Sequence, residues 1–239
     1  MRFVLSDAMS QRIGVPSHFW QKYSVTDYDT CIFLEFFKER PGSKILVVGA
    51  HDEPSANMLA EMGHNVTGID LREYDKDLPP CNYTFLRGDF CGMDLSGLGK
   101  FDVFVALSCI EHFGMGTYKE GPQHRYYDVV AMRRAWEMLK DGGHAYVTIP
   151  MCGYFNEVWP HWRTYDLNSV KERLVQDFAL VDLKGVVSGN LMLPDGRMKK
   201  AGEGLTTEEL KTFTGMPPHY SALMFLEKVP VKRLSPDGR

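Results

Sequence analysis

The sequence lacks the features that mark a protein of a membrane or of an oxidising compartment. No apolar run approaches the roughly 20 residues that a membrane-spanning helix requires, and the first residues lack the sustained apolar core of a signal peptide. The five cysteines form no Cys-x-x-Cys pair, and an odd number without a framework pattern is typical of free thiols. We therefore expect a cytoplasmic protein with no membrane partner.

An excess of positive charge is also missing. Lysine and arginine together number 27 against 31 acidic residues, which gives a net charge of −4. Proteins that bind nucleic acid usually carry a basic face, so we expect a small-molecule substrate and no nucleic-acid partner. The eight histidines show no metal-binding spacing such as His-x-x-x-His, and we expect no metal site.

What the sequence does contain is an alternation of strand-like apolar runs and helical segments. Seven runs predict strands: Ile45–Val48, Val66–Ile69, Tyr83–Leu86, Phe101–Leu107, Ala145–Ile149, Phe178–Val187 and Ala222–Lys228. Three segments predict helices: Ser55–Met62, Asp128–Lys140 (stopped by Gly142 and Gly143) and Ser169–Phe178. The apolar stripe of the second helix is Val129, Met132, Trp136 and Leu139. This alternation predicts an α/β fold: a Rossmann-like, doubly wound, mostly parallel sheet of about seven strands with flanking helices and an antiparallel last strand.

The chain divides into two predicted parts. Residues 1–40 form a helical N-terminal preface, in which Tyr23 and Tyr28 are either a lid or ordinary packing, and residues 41–239 form the main domain. An insertion at 188–218 contains a capping box at Thr206–Glu209. The insertion is long enough to be a lid or the arm of a homodimer.

A turn after the first strand and an acid after the second are typical of a site for a nucleoside-bearing cofactor. The run Lys44–Val48 ends in Gly49, where the backbone can approach a ligand. The run Val66–Ile69 ends in Asp70, about 20 residues on, where a carboxylate can receive ribose hydroxyls.

Five blocks stand in a fixed order along the chain: Lys44–Ala50, Gly68–Asp70, Arg87–Phe90, Phe101–His112 and Leu139–Pro150. In this order they resemble the class I S-adenosylmethionine-dependent methyltransferases over about residues 41–185. The segments Ser108–Gly116 and His161–Tyr165 are also similar to a poorly characterised methyltransferase-like family of unknown function. The likeness implies S-adenosylmethionine as cofactor, bound by these residues: Gly49, Ala50, His51, Asp70, Leu71, Asp89, Phe90 and Ser108.

The first block departs from the pattern of these methyltransferases. Their motif usually has an acidic residue before a Gly-x-Gly, whereas here a valine (Val47 or Val48) takes the acidic place and only Gly49 is present. Asp52 or Glu53 is a candidate for the missing charge. Two acids at this turn tolerate a positively charged methyl donor but repel a pyrophosphate, which favours S-adenosylmethionine over NAD.

Candidate catalytic groups follow the fourth strand. His112 is the leading candidate for a general base, because imidazole titrates near neutral pH. Glu111 is a second catalytic candidate or a partner on the cofactor side. A histidine that only orients its loop and an Asp89 that only forms a turn are the alternatives.

Candidate acceptor-binding groups lie in two later segments. They are aromatic or basic side chains suited to stacking and ion pairing: Tyr118, His124, Tyr127, His161 and Arg163. The alternative is that these side chains only pack under neighbouring elements.

The predicted function is methyl transfer to a small molecule, most plausibly the O-methylation of a sugar or another hydroxyl-bearing metabolite. An N-methyltransferase acting on a small amine and a non-catalytic methyltransferase-like binding module stay open. An NAD-linked oxidoreductase on the same plan is disfavoured by the missing Gly-x-Gly and by the acids Asp52 and Glu53.

Overall fold

A central β-sheet runs through the computed structural model of the chain, which describes residues 30, 33–34, 37–51, 53–74, 82–118, 123–187, 191–193, 195–200, 203–212 and 220–229. The strands within these ranges are β1 (Lys44–Val48), β2 (Asn65–Asp70), β3 (Tyr83–Arg87), β4 (Phe101–Ala106), β5 (Leu139–Met151), β6 (Asn156–Val158), β7 (Trp162–Thr164), β8 (Phe178–Val187), β9 (Leu191–Met192), β10 (Met198–Lys199), β11 (Gly204–Leu205) and β12 (Tyr220–Lys228).

The order across the main sheet is β11-β8-β12-β5-β4-β1-β2-β3. Strands β1 to β5 pair in parallel, and β12 pairs antiparallel with both β5 and β8. The predicted doubly wound, mostly parallel sheet with an antiparallel last strand is therefore confirmed. Among the described residues the sheet has eight strands, one more than predicted, because the short strand β11 extends its edge.

Strand β1 shows why this sheet is covered on both faces. Side chains alternate between the two faces of a strand, and here both sets are apolar. Leu46 and Val48 belong to one buried cluster, and Ile45 and Val47 belong to the other. A strand in which both faces are buried needs helices above and below it, which is the arrangement of a doubly wound α/β protein.

The helices within the described ranges are α1 (Ser55–Glu61), α2 (Tyr127–Met138), α3 (Leu167–Ser169), which continues as a π-helix over Val170–Val175, and α4 (Thr207–Thr212). Single 3₁₀ turns occur at Ser96–Leu98 and Ile110–His112. Helices α1 and α2 cover opposite faces of the sheet: Met58 and Leu59 join one core cluster, whereas Ala131 and Ala135 join the other.

The predicted boundaries of α2 and α3 are partly wrong. Helix α2 ends at Met138 because Leu139 already pairs with Phe101 as the first residue of β5. Gly142 and Gly143 consequently lie inside that strand and do not stop a helix. Sheet pairing also ends the segment that contains α3, since Phe178 begins β8.

The buried face of α2 also differs from the predicted apolar stripe. The residues buried on this helix are Asp128, Ala131, Met132 and Ala135. Trp136, which was expected on the buried stripe, is only half-buried. The buried face therefore includes an acid, Asp128, whose partners are described below.

Part of the insertion packs on the edge of the sheet. Strand β11 pairs with β8, and the positions of Leu205 and Leu210 leave no room for a Cβ at Gly185. The predicted capping box is confirmed: the backbone N–H of Glu209 donates to Thr206 Oγ1 at 3.1 Å, and the N–H of Thr206 donates to the Glu209 carboxylate at 2.9 Å. A lid or dimer arm at 188–218 stays a prediction.

The predicted N-terminal preface lies largely outside the described residues, and so do Tyr23 and Tyr28. Thr30, Phe33 and Leu34 are helical and buried, and the preface as a unit stays a prediction. Within the described ranges, no helix is both long enough and apolar enough to cross a bilayer.

Candidate functional site

The candidate site lies where the order of strands reverses, between β1 and β4. Gly49 follows β1 with φ +76°, a left-handed conformation that favours glycine. A Cβ at this position would lie 2.7 Å from Cys109 Cβ in the turn after β4. The two turns therefore meet directly at the carboxyl end of the sheet, the position at which open α/β sheets bind ligands.

Asp70 ends β2 and faces this meeting point. Its side chain is 6% exposed. The backbone N–H of His51 donates to Oδ2 at 3.1 Å, and the N–H of Arg72 donates to Oδ1 at 2.9 Å. The turn after β1 thus positions the carboxylate that is predicted to bind the ribose.

Sequence reasoning missed a third member of this group, Arg72. Its Nε donates to Asp70 Oδ1 at 3.1 Å and its Nη2 donates to Oδ2 at 3.2 Å. The guanidinium also lies over the ring of Tyr118, 4.8 Å from its centroid. A basic residue two positions after a strand-end acid was the only sequence signal for this contact.

The predicted adenine-side residues occupy different environments. Asp89 is half-buried, and its Oδ1 accepts the backbone N–H of Cys91 at 2.8 Å in an Asx turn. Phe90 is 2% exposed and packs against Phe104, with 5.8 Å between ring centroids. This burial favours a core role for Phe90 over direct contact with a cofactor, whereas Leu71 is half-buried beside Asp70.

Glu53, one of the two acids considered for the missing motif charge, is bonded to the start of α1. Glu53 Oε1 accepts the N–H of Ser55 at 3.0 Å, at the start of α1, and the hydroxyl of Thr30 at 2.8 Å. Glu53 therefore ties the helix start to the preface. Asp52 lies outside the described residues.

The turn after β4 is strained. Ser108 has φ +44°, a left-handed conformation that is uncommon for a residue with a Cβ, and its N–H donates to Thr148 Oγ1 at 2.8 Å. The thiol of Cys109 contacts the Val48 carbonyl at 3.3 Å. Burial raises the pKa of this thiol well above its usual value, so Cys109 packs as a neutral group.

His112 is held with one ring nitrogen bonded and the other facing an acid. Its Nδ1 lies 2.6 Å from the carbonyl oxygen of His161. A carbonyl can only accept, so Nδ1 carries the proton and Nε2 carries the lone pair of the neutral ring. That Nε2 lies 4.0 Å from Oε1 of the buried Glu111.

The electrostatic surroundings keep His112 neutral. Burial lowers its pKa, the bond to the His161 carbonyl opposes this, and the positive charges of Arg163 and Arg72 lower the pKa further. The ring is therefore a proton acceptor at neutral pH, and its free lone pair is on Nε2.

The loop after His112 is tied to the tip of the β6–β7 hairpin. The hydroxyl of Thr117 donates to the carbonyls of His161 at 2.6 Å and Pro160 at 2.8 Å. The His161 carbonyl thus accepts from both His112 and Thr117. Tyr118 follows on the same loop, 5.8 Å from the His112 ring and 44% exposed.

Arg163, predicted to bind the acceptor, is fully buried on β7. Its Nη1 donates to the carbonyl of Phe113 at 2.7 Å, its Nη2 donates to the carbonyl of Arg125 at 3.1 Å, and its Nε donates to Glu157 at 3.3 Å. This geometry favours a positioning role, in which Arg163 holds the loops on either side of residue 118, over direct contact with an acceptor.

A buried ionic network surrounds Arg163. Asp128, fully buried on α2, accepts two bonds of 2.8 Å from Arg173 and one of 3.1 Å from the hydroxyl of Tyr165. Arg125 pairs with Glu157 at 2.7 Å. These contacts join α2, the β6–β7 hairpin and the π-helix into one support for the acceptor-side loops.

The other predicted acceptor-side residues lie on the outer part of these loops. His124 is exposed and stacks on the half-buried Tyr127, with 4.6 Å between ring centroids. His161 is exposed at the tip of the β6–β7 hairpin. The structure thus brings Tyr118 and His161 next to His112, and it places the His124–Tyr127 pair on the neighbouring loop.

No protein-family model and no curated protein matches the sequence. Solved structures do match it. A candidate methyltransferase of Bacillus halodurans superposes with a TM-score of 0.57 at 15% identity, over 85% of this chain and 100% of that chain. A TehB-like S-adenosylmethionine-dependent methyltransferase of Corynebacterium glutamicum superposes with a TM-score of 0.52 at 14% identity, over 93% of this chain and 100% of that chain. A third match is the 1,6-didemethyltoxoflavin-N1-methyltransferase of Burkholderia thailandensis, crystallised with 1,6-didemethyltoxoflavin and S-adenosylhomocysteine. It superposes with a TM-score of 0.51 at 16% identity, over 80% of this chain and 72% of that chain.

The chain has the class I methyltransferase fold. The strand order and the similar structures agree on this point, and they confirm the fold that the five sequence blocks predict. Identities of 14–16% do not carry over a substrate. The chemistry of this methyltransferase-fold protein must therefore be argued from its own residues.

Proposed function

We propose that this chain is an S-adenosylmethionine-dependent methyltransferase that acts on a small molecule. The observation that carries the proposal is the position of Asp70, a buried carboxylate held by the His51 amide at the carboxyl end of β2. In a class I methyltransferase fold this is the place for ribose recognition. The Burkholderia thailandensis structure, which contains S-adenosylhomocysteine, supports the same cofactor class.

The turn after β1 fits an adenosyl cofactor better than a dinucleotide. Phosphate sites at such turns usually have several glycines, so that backbone amides can surround the anion. Here Gly49 stands alone, and it packs against Cys109. When bound, S-adenosylmethionine supplies the electrophilic methyl group; the protein contributes binding, alignment and exclusion of water.

Isothermal titration calorimetry tests the cofactor. S-adenosylhomocysteine is expected to bind the purified chain with one site, and NAD is expected to give no binding heat. Binding of NAD together with no binding of S-adenosylhomocysteine would overturn the proposal. The titration needs no knowledge of the acceptor.

His112 is proposed as the general base for a hydroxyl acceptor. Its Nε2 lone pair is fixed by the bond from Nδ1 to the His161 carbonyl, and the nearby Glu111 stabilises the imidazolium that forms when the acceptor proton arrives. Tyr118 supplies a flat, polar surface 5.8 Å from the His112 ring, and the exposed His161 lies at the tip of the neighbouring hairpin. These features support O-methylation of a sugar or another hydroxyl-bearing metabolite.

The titration of His112 can be measured without a substrate. Because burial and nearby arginines lower its pKa, we expect an NMR midpoint below the ordinary value of about 6.5. His144 is the internal control: its hydrogen bond to Glu39, at 2.5 Å, raises its pKa against the effect of burial, so its midpoint is expected above that value. The ring nitrogens of His112 should report the Nδ1–H tautomer. A raised midpoint or an Nε2–H tautomer would rule out the proposed base.

An amine acceptor is the second candidate. The Burkholderia thailandensis enzyme is by name an N1-methyltransferase with the same fold. An amine needs to be deprotonated and aligned, and it can react without a protein base. The His112→Asn variant separates the two: a loss of about a hundredfold or more in kcat is expected for a hydroxyl acceptor, and a much smaller loss is expected for an amine.

A further inference from the structure

Asp70 already has a complete set of hydrogen-bond donors within the protein. A carboxylate offers about four lone-pair sites. In this structure four donors converge on Asp70: the backbone amides of His51 and Arg72, and the Nε and Nη2 groups of Arg72. A ribose that is to place its hydroxyls on Asp70 must therefore take the place of one or more of these donors.

The two kinds of donor differ in how easily they can move away from Asp70. The amides of His51 and Arg72 belong to backbone turns, and the turn before His51 is itself bonded to the end of β2 through the Gly49 N–H and the Ile69 carbonyl, at 2.9 Å. The guanidinium of Arg72 is on a long side chain that is 32% exposed. The guanidinium is the donor that can move without unfolding the turn.

The geometry points to Arg72 as a latch on the cofactor site: its guanidinium and the ribose hydroxyls compete for the same two oxygens of Asp70. This inference rests on the proposed function, because it takes Asp70 as the ribose-binding acid. Arg72 then determines how tightly the cofactor binds, although it makes no favourable contact with the ribose.

Tyr118 offers the displaced guanidinium a contact that it can keep. Its exposed ring already lies 4.8 Å from the Arg72 guanidinium, a distance suited to a cation–π contact. The same ring is 5.8 Å from His112. A guanidinium that leaves Asp70 but stays on Tyr118 lies on the acceptor side, so that cofactor binding changes the charge that faces the acceptor.

The test is the affinity for S-adenosylhomocysteine, measured by calorimetry at low salt. Arg72→Gln is expected to bind about three- to tenfold more tightly than the parent, because the competing ion pair is gone. Arg72→Lys keeps the charge but cannot bridge both oxygens, so an intermediate gain is expected. The matched control is Arg87→Gln, which removes an equal charge from the next strand, where Arg87 contacts Glu73 and the Leu71 carbonyl; its affinity is expected to equal that of the parent.

A second ligand separates competition at Asp70 from a general charge effect. The 2′,3′-dideoxy analogue of S-adenosylhomocysteine has no hydroxyl to place on Asp70, so Arg72→Gln is expected to leave its affinity unchanged.

Each outcome of the titration decides a point. Equal or weaker binding of S-adenosylhomocysteine by Arg72→Gln overturns the latch and leaves the proposed function standing. No binding by the parent or by any variant overturns the proposed function and the latch with it.

Discussion

Asp70→Asn is expected to weaken binding of S-adenosylhomocysteine by about a hundredfold or more, because each charge-assisted hydrogen bond is worth about 1.5–3 kcal/mol and a ribose diol makes two. The asparagine is the same size and keeps one acceptor oxygen for the turn amides of His51 and Arg72. Its NH₂ group, however, donates where a ribose hydroxyl needs an acceptor. Calorimetry measures the loss directly.

Asp182→Asn is the matched control for this loss. Asp182 on β8 also accepts a backbone N–H, at 2.9 Å from Leu183, and pairs with a cation, Lys184, at 3.0 Å. Strands β12, β5, β4 and β1 separate β8 from Asp70. We expect Asp182→Asn to bind S-adenosylhomocysteine as the parent does. If Asp70→Asn also bound normally, Asp70 would not be the ribose-binding residue.

Arg163→Met is expected to lower the free energy of unfolding by about 3–5 kcal/mol, because it removes a fully buried cation from an ionic network that contains the buried acid Asp128 and from Glu157. The Phe113 carbonyl loses this donor, whereas Glu157 keeps Arg125 and the Arg125 carbonyl keeps Arg173. Arg163→Lys is not expected to restore stability, since an ammonium group cannot reach acceptors on three sides. Urea denaturation monitored by circular dichroism measures the change.

Arg133→Met is the control for Arg163→Met. Arg133 also contacts two carboxylates, those of Glu137 and Asp177, but it lies on the surface. Exposed ion pairs contribute little, so a loss of less than about 1 kcal/mol is expected. If Arg163→Met cost as little as Arg133→Met, the buried network would not be the support of the acceptor-side loops.

The two variants also distinguish two kinds of site residue. Asp70→Asn should lower affinity more than stability, although its NH₂ group faces former donors and is expected to cost about 1–3 kcal/mol. Arg163→Met should lower stability. It should also lower activity, because the loops around His112 are displaced. Both side chains are buried, and the difference follows from their surroundings: Arg163 is surrounded by protein acceptors, whereas Asp70 lies at the end of a strand beside a partly exposed guanidinium.

The sequence by itself determined the fold and the placement of Gly49 and Asp70 at one edge of the sheet. Apolar runs such as Ile45–Val48 in β1 and Val103–Ala106 in β4 are buried on both faces, so their alternation with helices specified a parallel sheet. Gly49 and Asp70 followed from the same logic, because the carboxyl ends of parallel strands meet at one edge. The capping box at Thr206–Glu209 depends on residues close together in the chain, and its prediction was also confirmed.

The tertiary structure decided everything that depends on partners distant in the chain. Leu139 joined β5 and not α2 because its partner in β4 lies 38 residues earlier, where helical periodicity cannot detect it. The sequence suggested Arg163 as a ligand-binding group, because its protein acceptors lie up to 52 residues away in the chain. The Arg72 contact with Asp70 is short in sequence, yet its meaning depends on Tyr118, which only the fold brings alongside. Apolar periodicity specifies which residues are buried, but charged side chains pair according to where the folded chain places them.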